Sequence, residues 1–210
     1  MTTDVVDGRV VSALCDRSPG AQLIVLGSGG HGGLAGLLVG SVGVAVSAHA
    51  ACPVVVVRGG DAIARDRPVV VGVDDSVEAH AAMAFAAEEA SMRGVDLLAI
   101  HAWSPPSGPR RSDVQPPLAD VAELEATGRQ MLTESVRGWS AKYPQLRVTI
   151  RLVRGHGQYA LSEASADAQL VVVGSRGRGG FVGLVLGSVG QHLLHHASCP
   201  VAVVRPQVLG

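Results

Sequence analysis

The chain has 210 residues, of which 47 % are apolar and 17 % are charged, so it can bury a hydrophobic core and is not of the disordered class. Its formal net charge of −1 gives no general attraction to nucleic acid or to an anionic membrane. The three cysteines, Cys15, Cys52 and Cys199, form no CxxC pair. This favours unpaired thiols in a reducing cytoplasm over a disulfide framework or a metal site.

The N-terminal quarter raises the question of a membrane segment. The first residues lack the basic region and apolar core of a signal peptide. Residues 18–57 contain no Asp, Glu, Lys or Arg, a charge-free run longer than the roughly 18 residues of a spanning helix. Clusters of glycine and Pro53 interrupt the run, so we expect a cytoplasmic protein without a membrane partner.

One segment of the chain occurs twice. Gly8–Arg58 aligns without a gap on Gly155–Arg205, and 27 of the 51 positions are identical. The second copy is preceded by a long run of sequence from Arg67, whereas only seven residues precede the first copy. The sequence therefore predicts a partial domain at 1–58 that holds only the C-terminal portion, a linker at 59–66 and a complete domain at 67–206.

The complete domain alternates apolar β-branched runs with helical segments. We expect strands at 67–76, 95–103, 146–154, 169–175 and 200–205, of which the one at 146–154 is an edge strand. We expect helices between them: one capped by Ser76, a long one over 118–143, a short one over 157–167 and one over about 184–197. A Pro-rich loop precedes the long helix, and a glycine loop follows the strand at 169–175. This order predicts an α/β fold, an open five-stranded parallel sheet with helices on both faces. Ligands of such sheets lie beyond the carboxyl ends of the strands, at the point where the strand order reverses.

Both copies contain a glycine loop with the spacing G-x-x-G, nine residues, then G-S. Glycine lets a backbone approach a phosphate closely, and the helix N-terminus that follows is suited to anions. In the second copy Arg176 and Arg178 add positive charge. A tight turn that binds nothing has the same spacing, so spacing alone leaves both interpretations open. The loop positions are Gly27, Gly30, Gly40 and Ser41 in the first copy, and Gly174, Gly177, Gly187 and Ser188 in the second.

Two other phosphate motifs do not fit. A P-loop requires a lysine that neither loop has. The first copy contains a literal G-x-G-x-x-G at Gly27, Gly29 and Gly32, but Arg176 replaces the middle glycine in the second copy. No acidic residue follows about 20 positions later, where a dinucleotide ribose needs one.

Several residues invite a catalytic interpretation that the sequence does not favour. Asp74 and Asp75 are adjacent after a strand, so their side chains are expected to point differently. His101 ends an apolar strand and is more typical of a hydrogen-bonded core or pocket residue than of a base. His192 and His196 have i, i+4 spacing without the glutamate of a zinc motif. Ser188 has no evident His and Asp partners.

The glycine signature, preceded by an apolar strand and followed by "CPV" and a last strand, resembles the universal stress protein family. The resemblance covers 67–206 and, as the C-terminal portion of a second such domain, 8–58, which makes this a tandem type with a truncated first domain. It implies a doubly wound fold like that of the adenine-nucleotide alpha-hydrolases. It also implies a stress sensor or regulator that binds ATP non-covalently, with or without Mg²⁺. Such a protein is not an enzyme, although slow ATP hydrolysis stays open.

The resemblance implies a single complete ATP site, in the second domain. The aspartate and the end of the second strand flank adenine, and the loop holds phosphates and ribose. The family has a position after Val189 that can carry a hydroxyl, and Gly190 cannot. The first copy lacks the aspartate and the adenine wall. The residues that match family positions are Gly72, Asp74, Ala102, Val173, Gly174, Gly177, Gly187, Ser188 and Val189.

Members of this family commonly pair through their last strands. Here 53–58 and 200–205 are expected to form either an intrachain pseudo-dimer or the contact of a homo-oligomer, and the strand at 22–27 is expected to have an exposed edge. One alternative is a dimerisation scaffold of the non-nucleotide branch of the family. Another is a true ATPase, which the missing lysine and the absence of an evident metal-binding constellation disfavour.

Overall fold

A computed structural model describes residues 1–28, 40–57, 66–104, 118–178 and 185–206. The strands are β1 (Ile24–Gly27), β2 (Val54–Val57), β3 (Val69–Gly72), β4 (Leu97–Trp103), β5 (Val148–Arg154), β6 (Leu170–Gly174) and β7 (Val201–Val204). The α-helices are α1 (Val10–Arg17), α2 (Ser41–His49), α3 (Val77–Arg93), α4 (Leu118–Val136), α5 (Trp139–Lys142), α6 (Gly157–Ala164) and α7 (Ser188–His196). Short 3₁₀ turns follow α1 and α6 at Ser18–Gly20 and Ser165–Asp167.

All seven strands belong to one sheet, in the order β1-β2-β7-β6-β3-β4-β5. The five strands of the second copy, β3 to β7, are mutually parallel, which confirms the predicted five-stranded parallel sheet. The chain builds outward from β3 through β4 to β5, then crosses back to β6 and β7 on the other side. The order therefore reverses between β3 and β6, where a ligand crevice is expected.

The two copies join through their last strands. β2 pairs with β7 in the antiparallel sense, with Val54 opposite Val203, Val55 opposite Ala202 and Val56 opposite Val201. Of the two arrangements expected for these strands, the structure therefore has the intrachain pairing. The first copy adds β1 and β2 to the edge of the second copy's sheet.

A buried serine occupies the same place in both copies. The Ser18 hydroxyl donates to the Cys15 carbonyl at 2.7 Å and accepts the Ala51 N–H at 2.8 Å. Ser165, 147 positions later, accepts the Ser198 N–H at 2.8 Å in the same manner. Ser18 and Ser165 are each 1 % exposed, so the hydroxyl supplies a partner that water does not. The repeat in sequence is thus also a repeat in local structure.

The sheet is buried on both faces by different helices. On one face Leu161 of α6 and Leu193 of α7 pack with Val70 of β3 in a cluster that extends to the first copy. On the other face α3 presents small side chains, such as Ala82 and Ala86, that let the helix lie close to β3 and β6. Burial on both faces is the reason that these strands are continuous apolar runs without alternation.

Two features differ from the sequence expectation or lie beyond it. The prediction of one continuous helix over 118–143 is wrong in one respect. The segment forms two helices, because α4 ends at Val136 and α5 begins at Trp139. Gly138 between them has φ of 89°, a left-handed conformation that an α-helix cannot continue through. The Pro-rich loop and most of the predicted linker, 59–65, lie outside the described residues.

The predicted edge strand is confirmed in the described part of the chain. β5 pairs only with β4 there and forms one edge of the sheet. Within the described ranges, no helix combines the length and the apolar character needed to cross a membrane.

Candidate functional site

A cavity of about 440 Å³ opens at the carboxyl ends of β3, β4 and β6, beside the reversal in strand order. The structure brings together here every residue that the resemblance implied. Their common location is a structural finding, and their contact with a ligand stays a prediction. They are Gly72, Asp74, Ala102, Val173, Gly174, Gly177, Gly187, Ser188 and Val189.

Helix α6 contributes a wall that the sequence analysis did not assign. Gly157 begins the helix, and a β-carbon placed on it would lie 3.7 Å from Cγ2 of Val189 and 3.9 Å from Cβ of Ala102. Leu161, one turn further, stands so close to Gly72 that a β-carbon on Gly72 would lie 2.7 Å from its Cδ1. A glycine opening the helix after β5 was the only available signal. Val73, Ala79 and Ile100 also line the cavity and were missed, whereas Arg176 and Gly190, which line it as well, were considered in the sequence analysis without being counted as contacts.

Asp74 connects the end of β3 to the glycine loop. Its Oδ1 accepts the Ser76 hydroxyl at 2.6 Å and the Ser76 N–H at 3.2 Å. Its Oδ2 accepts the backbone N–H of Arg178 at 3.0 Å. Ser76 in turn caps α3, as predicted, by accepting the Ala79 N–H at 3.1 Å. The carboxylate is therefore held in one orientation at the rim of the cavity.

Asp75 makes contacts different from those of Asp74. It has φ of 63°, and its side chain is 42 % exposed. One oxygen accepts an N–H of the Arg178 guanidinium at 2.5 Å, and the other lies 3.8 Å from Nε2 of His80. The two aspartates therefore contact different groups of Arg178, the backbone N–H in the case of Asp74 and the guanidinium in the case of Asp75.

The two loop arginines are both paired with acidic side chains. Arg176 contacts Oε1 of Glu78 through Nη2 at 2.9 Å and through Nε at 3.0 Å, while Arg178 contacts Asp75. Both arginine side chains are more than half exposed, at 56 % and 65 %. Their charge is available to an anion only in competition with Glu78 and Asp75. The exchange costs little at Asp75, which is 42 % exposed, but more at Glu78, whose side chain is only 15 % exposed and loses its partner when Arg176 turns to an anion.

The N-terminus of α7 forms the side of the cavity opposite β3. The helix begins at Ser188 after the N-cap Gly187, and no side chain caps it. The Gly187 N–H donates to the Ser175 carbonyl at 2.7 Å, which closes the loop onto the end of β6. The first N–H groups of a helix have no partner within the helix, and the cavity lies in front of them. This end of the site is suited to anionic groups.

His101 is a structural residue at the back of the site. Its Nδ1 lies 2.7 Å from the Val73 carbonyl, and α4 covers it so closely that a β-carbon on Gly128 would lie 3.2 Å from its Cδ2. The bond ties β4 to the end of β3 just before Asp74. The interpretation of His101 as a hydrogen-bonded residue is thereby confirmed.

The histidines of α7 lie outside the cavity. The rings of His192 and His196 are 4.3 Å apart, and Tyr159 meets His192 edge-on at 5.5 Å. Burial, together with the neighbouring His196 and His195, lowers the pKa of His192. In the part of the chain that the structure describes, no three His, Cys, Asp or Glu side chains are grouped as metal ligands.

The first copy keeps the closure of its own loop. The Ser28 N–H donates to the Val57 carbonyl at 2.7 Å and the Gly40 N–H to the Ser28 carbonyl at 3.1 Å, matching the bonds around Ser175 in the second copy. Gly30 lies outside the described residues. Among the described strands, only β2 pairs with β1.

Comparison with known proteins confirms the resemblance. The model of the universal stress protein family matches residues 2–58 and 67–205. A universal stress protein from Mycolicibacterium smegmatis is 42 % identical over 212 residues, which cover 98 % of this chain and 69 % of that protein. Universal stress protein Rv2623 from Mycobacterium tuberculosis is 41 % identical over 207 residues, which cover 97 % of this chain and 68 % of that protein.

Solved structures show the same fold. A universal stress protein from Archaeoglobus fulgidus superposes with a TM-score of 0.60 at 23 % identity, over 93 % of this chain and 64 % of that one. The universal stress protein UspA from Lactobacillus plantarum gives 0.56 at 21 % identity, over 68 % of this chain and 99 % of that one. Sequence, family match and fold agree, and the chain belongs to the universal stress protein family.

Proposed function

We propose that the chain is a cytoplasmic universal stress protein that binds one molecule of ATP non-covalently, in the cavity at the ends of β3, β4 and β6. The observation that carries the proposal is the convergence of the nine implied residues on that one cavity. Its volume of about 440 Å³ lies in the range of small-molecule sites, roughly 300–1,000 Å³.

The two ends of the cavity differ in chemistry in the way that ATP requires. Ile100, Ala102 and Leu161 supply apolar surface for a base. At the other end Gly177 and the uncapped start of α7 offer backbone N–H groups to phosphates. Asp74 and Ala102 then flank the adenine, and the ribose lies beside the loop near Val189.

The loop arginines give the site a means of responding to the polyphosphate. ATP carries several negative charges, with or without Mg²⁺, and competes with Glu78 and Asp75 for the two guanidinium groups. Bound ATP then connects the β3 side to α7 across the cavity, which stabilises this arrangement over others. At a ligand concentration of 100 times Kd the gain is about 2.7 kcal/mol.

The proposed role is regulatory, and no chemical step is assigned to it. The loop has no lysine, and the described histidines lie behind the cavity or outside it. A turnover assay with and without Mg²⁺ tests this assignment. Release of phosphate at a rate that Asp74→Ala abolishes would replace the sensor with a slow ATPase.

The first experiment is to denature the purified protein, identify any released nucleotide and titrate the emptied protein with ATP by calorimetry. Asp74→Ala and Gly187→Ala are expected to lose binding, the second because a β-carbon there would lie 3.3 Å from Cα of Arg176. Gly40→Ala is the matched control, since among the described residues its β-carbon would meet only the Ser28 carbonyl, at 3.9 Å. It should leave binding and the stoichiometry of one unchanged.

The same experiment distinguishes ATP binding from the alternative function, a dimerisation scaffold that binds no nucleotide. A protein that carries no nucleotide and gives no heat with millimolar ATP is the dimerisation scaffold of the family. The absence of a hydroxyl at Gly190, whose β-carbon would meet Leu186 at 3.4 Å, is the observation in favour of that outcome.

A further inference from the structure

The two ion pairs that hold the loop arginines differ in how far water reaches them. The Glu78 side chain is 15 % exposed, whereas the Asp75 side chain is 42 % exposed. Arg176 contacts one oxygen of Glu78 through two nitrogens, Nε at 3.0 Å and Nη2 at 2.9 Å. Arg178 contacts Asp75 through Nη2. Because water and salt screen the Asp75 pair more strongly, the pair of Arg176 with Glu78 is the stronger of the two.

The Arg176 side chain, which lines the cavity, runs from the start of α7 to the start of α3. Its Cα lies beside Gly187, the N-cap of α7, where a β-carbon would be 3.3 Å away. Its guanidinium lies at Glu78, in the first turn of α3. The backbone of Glu78 is packed so tightly on Gly174 that a β-carbon there would lie 2.8 Å from the Glu78 carbonyl carbon. The guanidinium is therefore held on α3, away from the uncapped start of α7.

Glu78 supplies negative charge to surroundings that are otherwise positive. Burial and then the charge of Arg176 lower the pKa of Arg205, and the charge of Glu78 opposes this, so Glu78 acts on both arginines. The N-terminus of α3 also stabilises a carboxylate in its first turn. An anion that contacts the Arg176 guanidinium must therefore replace a well stabilised carboxylate. It leaves Glu78, at 15 % exposure, without this partner.

Ligands with one phosphate and with several phosphates meet this pair differently. A single phosphate at the start of α7 lies beside the backbone of Arg176, a full arginine side chain away from the guanidinium. A chain of phosphates that begins at α7 can extend along this side chain to its guanidinium, where it meets Glu78. The longer ligand therefore gains a contact with Arg176, and Glu78 reduces the gain by competing for the same nitrogens.

We propose that Glu78 is a specificity-determining residue, which lowers the preference of the site for ATP over AMP by holding the guanidinium that only a phosphate chain reaches. The inference rests on the proposed function, ATP binding in this cavity, and adds the residue that responds to the phosphate charge of the ligand. A regulator with such a site responds to the ratio of the two nucleotides and not to ATP alone. Removal of the charge of Glu78 strengthens ATP binding, because Arg176 is then free for the terminal phosphates.

The test is calorimetry of the full chain with ATP and with AMP, in the same buffer without Mg²⁺. Glu78→Gln is expected to bind ATP about tenfold more tightly than the wild type, the equivalent of one charge-assisted hydrogen bond, and to bind AMP within about twofold of the wild type. The matched control is Glu89→Gln, on the same helix about three turns further along. Glu89 is also 15 % exposed and paired with an arginine, Arg93. This variant should bind both nucleotides like the wild type.

Arg176→Gln provides a second measurement, which decides the matter if urea denaturation shows that Glu78→Gln does not fold. It is expected to weaken ATP binding and to leave AMP binding unchanged, and an unchanged ratio of the two affinities overturns the proposal. Equal gains for ATP and AMP in folded Glu78→Gln, or no gain for ATP, overturn it as well, while ATP binding by the wild type still supports the proposed function. A wild type that binds neither nucleotide refutes the proposed function itself, and this inference with it.

Discussion

The backbone of Gly177 lies directly against the carboxylate of Asp74. A β-carbon on residue 177 would stand 2.2 Å from Oδ2, the same oxygen that accepts the Arg178 N–H at 3.0 Å. Gly177 is not among the glycines with positive φ. The glycine is therefore required by its neighbour and not by its backbone torsion, and it lets the loop wrap around the aspartate that ends the first strand of the domain.

This contact predicts a non-additive pair of substitutions. Gly177→Ala is expected to lower the free energy of unfolding by about 1–3 kcal/mol, the usual cost of forcing an extra carbon into a packed position. In an Asp74→Ala background the same change should cost much less, because the carboxylate is gone. Urea denaturation of the four proteins in the double-mutant cycle measures the coupling. Additive costs would contradict the contact.

The equivalent buried serines of the two copies, Ser18 and Ser165, allow a test of our prediction that both copies unfold together. Ser165→Ala leaves the Ser198 N–H without its partner, and Ser18→Ala does the same to Ala51. Each is expected to cost about 1–3 kcal/mol. Because β2 and β7 share one sheet, either substitution should shift one common transition in calorimetry. Two separable transitions, each moved by only one substitution, would show that the copies are independent.

The features of the fold and the site that the sequence predicts are those that depend on residues close together in the chain. The strands were found because apolar β-branched runs are a local signal, and the glycine positions converge on one cavity because each lies at the end of a strand or the start of a helix. The contacts that hold the loop are different. Asp74 and the backbone of Arg178 are 104 residues apart, and the pairing of Arg176 with Glu78 spans 98. No periodicity in the sequence indicates which acidic residue meets which arginine.

The break in the long helix was missed although the residues involved are neighbours in the sequence. Ala, Glu and Leu favour a helix throughout 118–143, and a single Gly within a helix usually costs only about 1 kcal/mol. Gly138 nevertheless adopts a left-handed conformation, and the Trp139 indole donates to the Ser135 carbonyl across the break at 3.1 Å. Trp139 and Tyr143 also pack against the buried cluster on the α3 face of the sheet, so tertiary packing here decides against local propensity.

Arg205 links the first copy to the glycine loop of the second. Its guanidinium donates to the carbonyls of Ser47 and Ala48 at the end of α2, and to the Val185 carbonyl at 3.2 Å. Arg205→Met is expected to cost about 1–3 kcal/mol of stability, since it leaves partly buried carbonyls unpaired. It should also weaken ATP binding, because Val185 precedes the start of α7.

Arg205→Lys provides the comparison for that prediction. Lysine keeps the charge that suits a helix C-terminus but cannot reach the carbonyls of both copies with one planar group. We expect stability to recover in part and ATP affinity, measured by calorimetry, to stay low. Full affinity in Arg205→Met would show that the link serves stability alone.

The lowered pKa of His192 predicts that the fold loses stability in acid. Burial, then His196 and His195, lower its pKa in the folded protein below the ordinary value of about 6.5. The unfolded chain therefore binds the proton more readily, so the free energy of unfolding is highest above that value and falls as the pH drops below it. His192→Gln should reduce this loss when urea denaturation is compared between about pH 7 and pH 5. An unchanged acid dependence in the variant would mean that other groups destabilise the fold, and that the neighbouring rings of α7 accept the proton without cost.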